Sequence, residues 1–91
     1  MQTLNSNAKV FSALGCGKRL EIMQMLLKNS KCCSNLSVCV KLDASTISRH
    51  IKELQSAGLV NIKKQGKHAF YEVRNKKLLL EMIRIAEKLT E

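Results

Sequence analysis

Four cysteines give this 91-residue chain its most reactive side chains, and three of them lie within eight consecutive positions. Thiolates are the ligands that soft ions prefer: three suit trivalent arsenic or antimony, and four in a tetrahedron suit zinc or cadmium. A neighbouring pair of thiols can also be oxidised or persulfidated. The sequence therefore predicts a thiol site built from Cys32, Cys33 and Cys39, with Cys16 from either of two copies as a further ligand.

The same cysteines have a second interpretation, as small residues of a packed core. Cys39 is expected on the inward face of a short helix, and Cys16 lies between two glycines at a tight turn. If that helix extended back to position 32, Cys32 and Cys39 would lie seven residues apart on one face. We favour a sensing role for Cys32 and Cys33, and packing remains an open alternative for Cys39 and Cys16.

A different chemistry is indicated by one predicted helix, Ala44–Ala57, which has Asp43 as its N-cap and closes at Gly58. Its inward stripe recurs at helical spacing, at Ile47, Ile51 and Leu54. Its outward face carries small polar and basic side chains, at Ser45, Thr46, Ser48, Arg49 and Lys52. A face of this kind fits the major groove of duplex DNA, where an arginine binds either a guanine edge or a phosphate.

After this helix the hydrophobic period changes from 3.6 to 2, which predicts a β-hairpin. Its strands are Leu59–Lys64 and His68–Val73, joined by a turn at 65–67. Three lysines at the tip, Lys63, Lys64 and Lys67, can reach phosphates or the adjacent minor groove. Two short helices joined by a tight turn and followed by a basic hairpin describe a winged helix-turn-helix.

The predicted fold class is mainly α with a β-hairpin wing, in a single domain over residues 1–91. Further helices are predicted at Leu4–Leu14, at about Lys18–Lys28, at about Ser34–Lys41 with Ser34 as N-cap, and at about Lys76–Leu89. The apolar surface of the last helix is broader than one small core can cover. We therefore expect a homodimer.

The formal net charge of +9 favours a polyanionic partner, and an aromatic content of 3% argues against a binder of single strands. Double-stranded DNA is the expected partner. No apolar run approaches the length of a membrane span, and the polar N-terminus lacks the order of a signal peptide, so we expect a cytoplasmic protein without membrane contact. The sequence offers no carboxylate pair, activated nucleophile or phosphate loop, so we expect neither an enzyme nor a required cofactor.

The segment 43–60, Asp-Ala-Ser-Thr-Ile-Ser-Arg-His-Ile-Lys-Glu-Leu-Gln-Ser-Ala-Gly-Leu-Val, resembles the recognition helix and first wing strand of the ArsR/SmtB family. Ala13-Leu14-Gly15 followed by Lys18-Arg19-Leu20-Glu21-Ile22-Met23 resembles the family's other signature, and Gly66 and Phe70-Tyr71 fit its wing. These proteins are dimeric winged-helix repressors that often sense metals or metalloids. The resemblance implies dimerisation through the first and last helices, with one recognition helix per protomer in successive major grooves.

The chain departs from this family at three places. Cys16-Gly17 replaces an acidic or polar residue followed by proline, and Ala44 replaces a glutamine that is common before the Ser-Thr pair. Members that bind soft metals often carry Cys-x-Cys before the recognition helix; Cys32 matches its first thiol, but Ser34 occupies the second position. The family's other metal site uses Asp, His and Glu on the last helix, which here has neither Asp nor His, so we expect that site to be absent.

The predicted function is transcriptional repression. The protein would leave its operator when its thiols bind arsenite or antimonite, or next cadmium or zinc, or when they are oxidised. The alternative is a winged-helix regulator of the same fold whose cysteines only pack.

Overall fold

The computed structural model describes the backbone of residues 4–28 and 31–91, and the side chains of residues 5–28 and 36–91. The helices and short strands follow one another along the chain in the order that a winged helix-turn-helix requires. The elements are α1 (Leu4–Leu14), α2 (Gly17–Lys28), β1 (Lys31–Cys32), α3 (Cys33–Val40), α4 (Ala44–Ser56), β2 (Val60–Gln65), β3 (His68–Val73) and α5 (Lys76–Leu89).

The core lies where α2, α3 and α4 meet the sheet. Its largest side chains with almost no exposed surface are Ile22, Met23, Leu26, Leu36, Val40, Ile47, Ile51, Leu54 and Val60. The inward stripe predicted for α4 is therefore confirmed. Because burying an aliphatic side chain of this size stabilises the fold by about 1.5–3 kcal/mol, this stripe fixes which face of α4 is left for solvent.

The turn between α3 and α4 is held by polar contacts on both sides. Lys41 follows the last residue of α3 with a left-handed φ of 57°. The Ser37 hydroxyl donates a hydrogen bond to the Leu42 carbonyl oxygen, across this turn. The Lys18 ammonium of α2 donates to the carbonyl oxygen of Val40 at 3.2 Å. These contacts satisfy carbonyl groups near the end of α3 and set the direction in which α4 leaves the turn.

The sheet has three strands in the order β1-β3-β2, and both pairings are antiparallel. Strands β2 and β3 form the predicted hairpin, in which Gln65 pairs with His68. Gly66, the first residue of the two-residue loop, has a φ of 61°, a conformation in which glycine is favoured. Strand β1 pairs Lys31 with Tyr71, so the segment before α3 is attached to the wing.

Strand β1 was not predicted, and it changes the interpretation of the cysteine segment. Position 32 lies in β1 and α3 begins at Cys33, so the seven-residue helical spacing between Cys32 and Cys39 does not apply. Ser34 lies within the first turn of α3 and does not precede the helix as its N-cap. The inward placement of Cys39 was wrong, because its side chain is exposed; Val40 supplies the buried position instead.

Helices α1 and α5 carry several large apolar side chains that are exposed. Leu79 of α5 is buried, whereas large apolar side chains remain in solvent at Phe11 (69% exposed), Leu78, Leu80, Ile85 and Leu89 (81% exposed). Phe11 and Leu14 of α1 line an open apolar groove with Met82 and Ile83 of α5. Among the described helices, none is both long enough and apolar enough to cross a membrane.

Candidate nucleic-acid interface

The N-terminus of α4 is fixed by its predicted cap. The backbone N–H of Thr46 donates to Asp43 Oδ1 at 2.8 Å, and the Ser45 hydroxyl donates to the same oxygen at 3.0 Å. The Thr46 backbone hydrogen bond, with smaller contributions from the Thr46 and Ser45 side chains, lowers the pKa of Asp43 below its usual value. The capping carboxylate is therefore ionised at neutral pH, where it stabilises the positive end of the helix dipole.

The outward face of α4 presents most of the side chains that the sequence placed there. Ser45, Ser48, Arg49 and Lys52 are exposed, and Thr46 is half-buried. Because small hydroxyl side chains occupy the N-terminal part of this face, before the two cations, the helix backbone can approach a groove floor closely there. This face can therefore offer hydroxyl and guanidinium donors to base edges or phosphates.

The three predicted wing lysines are not equivalent. Lys64 and Lys67 are exposed, as is Lys63, but the Lys63 ammonium forms an ion pair with the Glu72 carboxylate at 3.1 Å. This pair crosses from β2 to β3 and partly neutralises Lys63. The sequence alone did not reveal this pairing, although Glu72 is the only acidic residue in the hairpin.

A cleft beside α4 contains a cation that sequence analysis had not placed at the interface. The cleft has a volume of about 260 Å³ and is lined by Arg19 of α2 together with Thr46, Arg49, His50 and Glu53 of α4. The Arg19 Nε atom is buried and has no hydrogen-bond partner. Desolvation, with further contributions from Arg19 and Arg49, lowers the pKa of His50 below its usual value.

The predicted thiol site is only partly within the described side chains. Cys16 is half-buried just before α2, and a hydrogen bond from the Arg19 backbone amide lowers the pKa of its thiol. Cys39 is exposed on α3. The side chains of Cys32 and Cys33 lie outside the described set. Within that set, no group of three His, Cys, Asp or Glu side chains could hold a metal ion.

Comparisons with known proteins agree with this architecture. The family model for bacterial regulatory proteins of the arsR family matches residues 16–61. The uncharacterized HTH-type transcriptional regulator MJ1325 of Methanocaldococcus jannaschii is 31% identical over 90 residues, which cover 98% of this chain and 100% of that protein. The transcriptional repressor SmtB homolog of Synechocystis sp. is 27% identical over 84 residues, which cover 92% of this chain and 64% of that protein.

Among solved structures, the homodimeric winged helix-turn-helix DNA-binding domain (fragment 1–100) of Mb0332 from Mycobacterium bovis superposes with a TM-score of 0.88. It is 24% identical and covers 97% of this chain and 84% of its own. The predicted fold class is confirmed. This chain belongs to the ArsR family, and it is a DNA-binding transcription regulator rather than an enzyme.

Proposed function

We propose that this protein is a homodimeric repressor that binds an operator in duplex DNA and is released when its thiols bind a soft metal or metalloid or are oxidised. One observation carries the DNA-binding part: α4 buries Ile47, Ile51 and Leu54 and turns its hydroxyl and basic side chains to solvent. The repressor activity is supported by the similarity to the SmtB homolog of Synechocystis, which is named as a repressor.

In the proposed complex, the α4 helices of two protomers enter successive major grooves about 34 Å apart. Ser45, Thr46, Ser48 and Arg49 face the bases or the flanking phosphates, and Lys52 contacts the DNA backbone. Lys64 and Lys67 extend to phosphates beyond the groove, and Lys63 contributes less because of Glu72. DNA binding requires no cofactor in this proposal.

Dimerisation is proposed through α1 and α5. Their exposed apolar side chains, among them Phe11, Ile85 and Leu89, form a surface that a monomer would leave in water. The homodimeric domain of Mb0332 has the same fold. A second copy of this chain would bury that surface and hold the two α4 helices at a fixed distance.

The thiols are proposed to act through α3. This helix packs against α4 and begins directly after β1, which pairs with the wing strand β3. Arsenite or antimonite, cadmium or zinc, or an oxidant that modified Cys32, Cys33 and Cys39, with Cys16 as a further ligand, would displace α3 relative to both DNA-contacting elements. A coupling free energy of order 1–3 kcal/mol would lower operator affinity roughly 5- to 150-fold.

The test is fluorescence anisotropy with reduced protein and a labelled duplex from upstream of its own gene. Arsenite, antimonite, cadmium, zinc and a persulfide donor are added separately. We expect one of these to release the DNA, and we expect the Cys32→Ser/Cys33→Ser variant to bind DNA without being released. A matched Ser34→Ala variant should respond like the wild type.

A second candidate function is a winged-helix regulator of the same kind without a thiol site. It is favoured by Ser34, which occupies the second thiol position of the Cys-x-Cys pattern found in members of the family that bind soft metals. The exposure of Cys39 argues against it, because a cysteine that only packs belongs in the core. If DNA is bound tightly and none of the reagents releases it, this second function replaces the first. A transcription assay with the same duplex then distinguishes repression from activation.

A further inference from the structure

We infer that the cleft between α2 and α4 is a clamp for a DNA backbone phosphate, and that Arg19 of α2 is its central residue. The inference rests on the proposed function and extends the interface beyond the recognition helix and the wing. It assigns a DNA contact to α2, an element for which the sequence predicts a helix and no role in DNA binding.

The side chains of the cleft leave a positive charge that no carboxylate neutralises through an ion pair in the part of the chain that the structure describes. Arg19 and Arg49 face one carboxylate, that of Glu53. Within the part of the chain that the structure describes, neither arginine forms an ion pair with this carboxylate. The buried Nε of Arg19 has no hydrogen-bond partner. The Arg19 side chain does lie close enough to the Cys16 thiol to lower the pKa of that thiol, but a thiol is a weak acceptor and does not neutralise the guanidinium. An unsatisfied buried donor on a charged group is costly, so the arrangement favours an anionic acceptor supplied from outside.

The donors that line the cleft match a phosphate. Guanidinium groups bind phosphate oxygens with two parallel N–H donors, and threonine hydroxyls are common phosphate contacts in DNA complexes. The pKa of His50 lies below its usual value, because of desolvation first and the neighbouring Arg19 and Arg49 second. The imidazole is therefore neutral in the free protein, and an arriving phosphate would be able to accept a hydrogen bond from its N–H group.

The position of the cleft identifies the source of that phosphate. Thr46, Arg49 and Glu53 occupy positions i, i+3 and i+7 of α4, so they form one stripe along the helix. Ser45, Ser48 and Lys52 form the neighbouring stripe at the same spacing. When the second stripe faces the groove floor, the first lies toward the wall of the groove, where the DNA strand carries its phosphates. Arg19 extends this stripe onto α2.

The α2 helix is suited to hold Arg19 at this place. Leu20 N–H donates to the Cys16 carbonyl oxygen at 2.9 Å, and the Arg19 backbone amide lies against the Cys16 thiol, so the first turn of α2 is capped. Lys18, on the preceding position, pairs with Glu21 at 3.3 Å and donates to Val40. Lys18 is thus occupied within the protein, and Arg19 is the cation of this turn that reaches the cleft.

The experiment compares wild type, Arg19→Gln and Arg19→Lys as full-length proteins on two labelled duplexes of equal length. One duplex comes from upstream of the protein's own gene, and the other has a scrambled sequence. We expect Arg19→Gln to weaken binding to both duplexes by the same factor, roughly three- to tenfold, since a phosphate contact carries no sequence information. The slope of log affinity against log salt should fall by roughly 0.9 per protomer. Arg19→Lys, which keeps the charge, should retain most of that slope.

Lys28→Gln is the matched control, because it removes one exposed cation from the other end of α2. Methylphosphonate substitution of single phosphates in the gene's own duplex supplies a readout that a merely structural role would not change. At the clamped phosphate, removing the charge should weaken the wild type more than Arg19→Gln, which has already lost the central contact. Circular dichroism establishes that each variant is folded.

The outcomes separate the two proposals. If the wild type binds neither duplex, the proposed function and the clamp both fall. If the wild type binds and Arg49→Ala weakens it, while Arg19→Gln leaves affinity and salt slope unchanged, only the clamp is overturned. A titration with inorganic phosphate, followed by the NMR resonances of Thr46 and His50, supplies a further test. The clamp is also overturned if Arg19→Gln abolishes phosphate binding without changing DNA binding, because the cleft would then serve a free anion.

Discussion

The surface formed by α4 and the wing and the surface formed by α1 and α5 are both exposed, but the first is polar and basic whereas the second is rich in large apolar side chains. The first carries hydroxyl and basic side chains on a helix whose N-terminus is capped by Asp43. The second carries large aliphatic and aromatic side chains that are exposed, such as Phe11 and Leu89. Leu79 is the buried residue of α5 and belongs to the core. A polyanion can pair with the cations of the first surface, whereas the apolar side chains of the second surface are removed from water by an apolar partner. In the proposed function, this contrast assigns DNA contact and self-association to separate faces of one small core.

We expect the largest effect on DNA affinity from a substitution on the α1–α5 surface, which contacts no DNA in the proposed complex. Ile85→Glu places a charge in the apolar surface of α5, so the variant should be monomeric by light scattering. Loss of the second recognition helix should lower DNA affinity by about 10²- to 10⁴-fold. Val38→Glu is the control, because Val38 is also exposed and apolar but lies on α3. A dimeric Ile85→Glu variant would contradict the assignment of the two surfaces.

The next largest effect is expected at Arg49. Arg49→Ala should weaken binding by roughly 1–3 kcal/mol, which is about 5- to 150-fold, and should leave stability nearly unchanged because the side chain is exposed. Anisotropy with a series of mutated duplexes separates a base contact, where discrimination at one position is lost, from a phosphate contact, where all duplexes weaken alike. Arg84→Ala, a similar change on α5, should retain wild-type affinity for every duplex.

A smaller effect distinguishes the lysines within the wing. Lys64→Ala should reduce affinity roughly threefold and lower the salt slope by roughly 0.9 per protomer. Lys63→Ala should have less effect on both, because Lys63 already pairs with Glu72. Glu72→Gln should strengthen binding by freeing Lys63, measured by the same titration. Equal losses for the two lysine variants would show that the ion pair does not persist on DNA.

The turn that orients α4 offers an effect on stability alone. Lys41 adopts a left-handed φ of 57°, which costs roughly 1–2 kcal/mol for a residue with a Cβ atom. Lys41→Gly should raise the free energy of unfolding in urea by up to about 1 kcal/mol, because glycine's greater freedom in the unfolded chain offsets part of the gain. Gln24→Gly, at an exposed position in the middle of α2, should lower it. A destabilised Lys41→Gly variant would mean that the lysine side chain itself supports the turn.

The smallest effect concerns pH. The folded-state pKa of His50 is lowered, so between that value and the unfolded value of about 6.5 the unfolded chain binds more protons. The contribution of neutral His50 to the free energy of unfolding is therefore fully present above about pH 6.5 and is lost as the pH falls toward the folded-state pKa. His50→Gln should lose less stability than the wild type between pH 7.5 and 5.5 in urea titrations. His68→Gln, on the wing, should behave like the wild type.

Most of the fold could be predicted because the hydrophobic periodicity is strong. The bounds of α1 and β3 and the N-cap of α4 follow from spacing and capping chemistry, and α5 begins and ends where expected. Strand β1 has only two residues, Lys31 and Cys32, and its formation depends on pairing with β3. No local pattern in the sequence encodes such a pairing, so the sequence does not predict this strand.

The part of the candidate site that lies on α4 alone could be predicted from the sequence, whereas the cleft between α2 and α4 could not. The exposure of Ser48 and Arg49 follows from the stripe on the other side of α4. The cleft between Arg19 and His50 brings together residues 31 positions apart, and only the packing of α2 on α4 places them in contact. Cys39 was misplaced for a related reason: Cys39 and Val40 are adjacent, and the helix phase that buries one exposes the other.

The position of Tyr71 makes intrinsic tyrosine fluorescence a probe of the sheet. The chain contains no tryptophan and one tyrosine, so excitation near the tyrosine band reports on a single place in the molecule. Tyr71 is buried on the central strand β3, opposite Lys31 on one side and Ile62 on the other. Any event that separates β1 from the wing would change the surroundings of this one phenol ring. Its emission therefore offers a label-free record of whether a reagent at the cysteine segment reaches the wing.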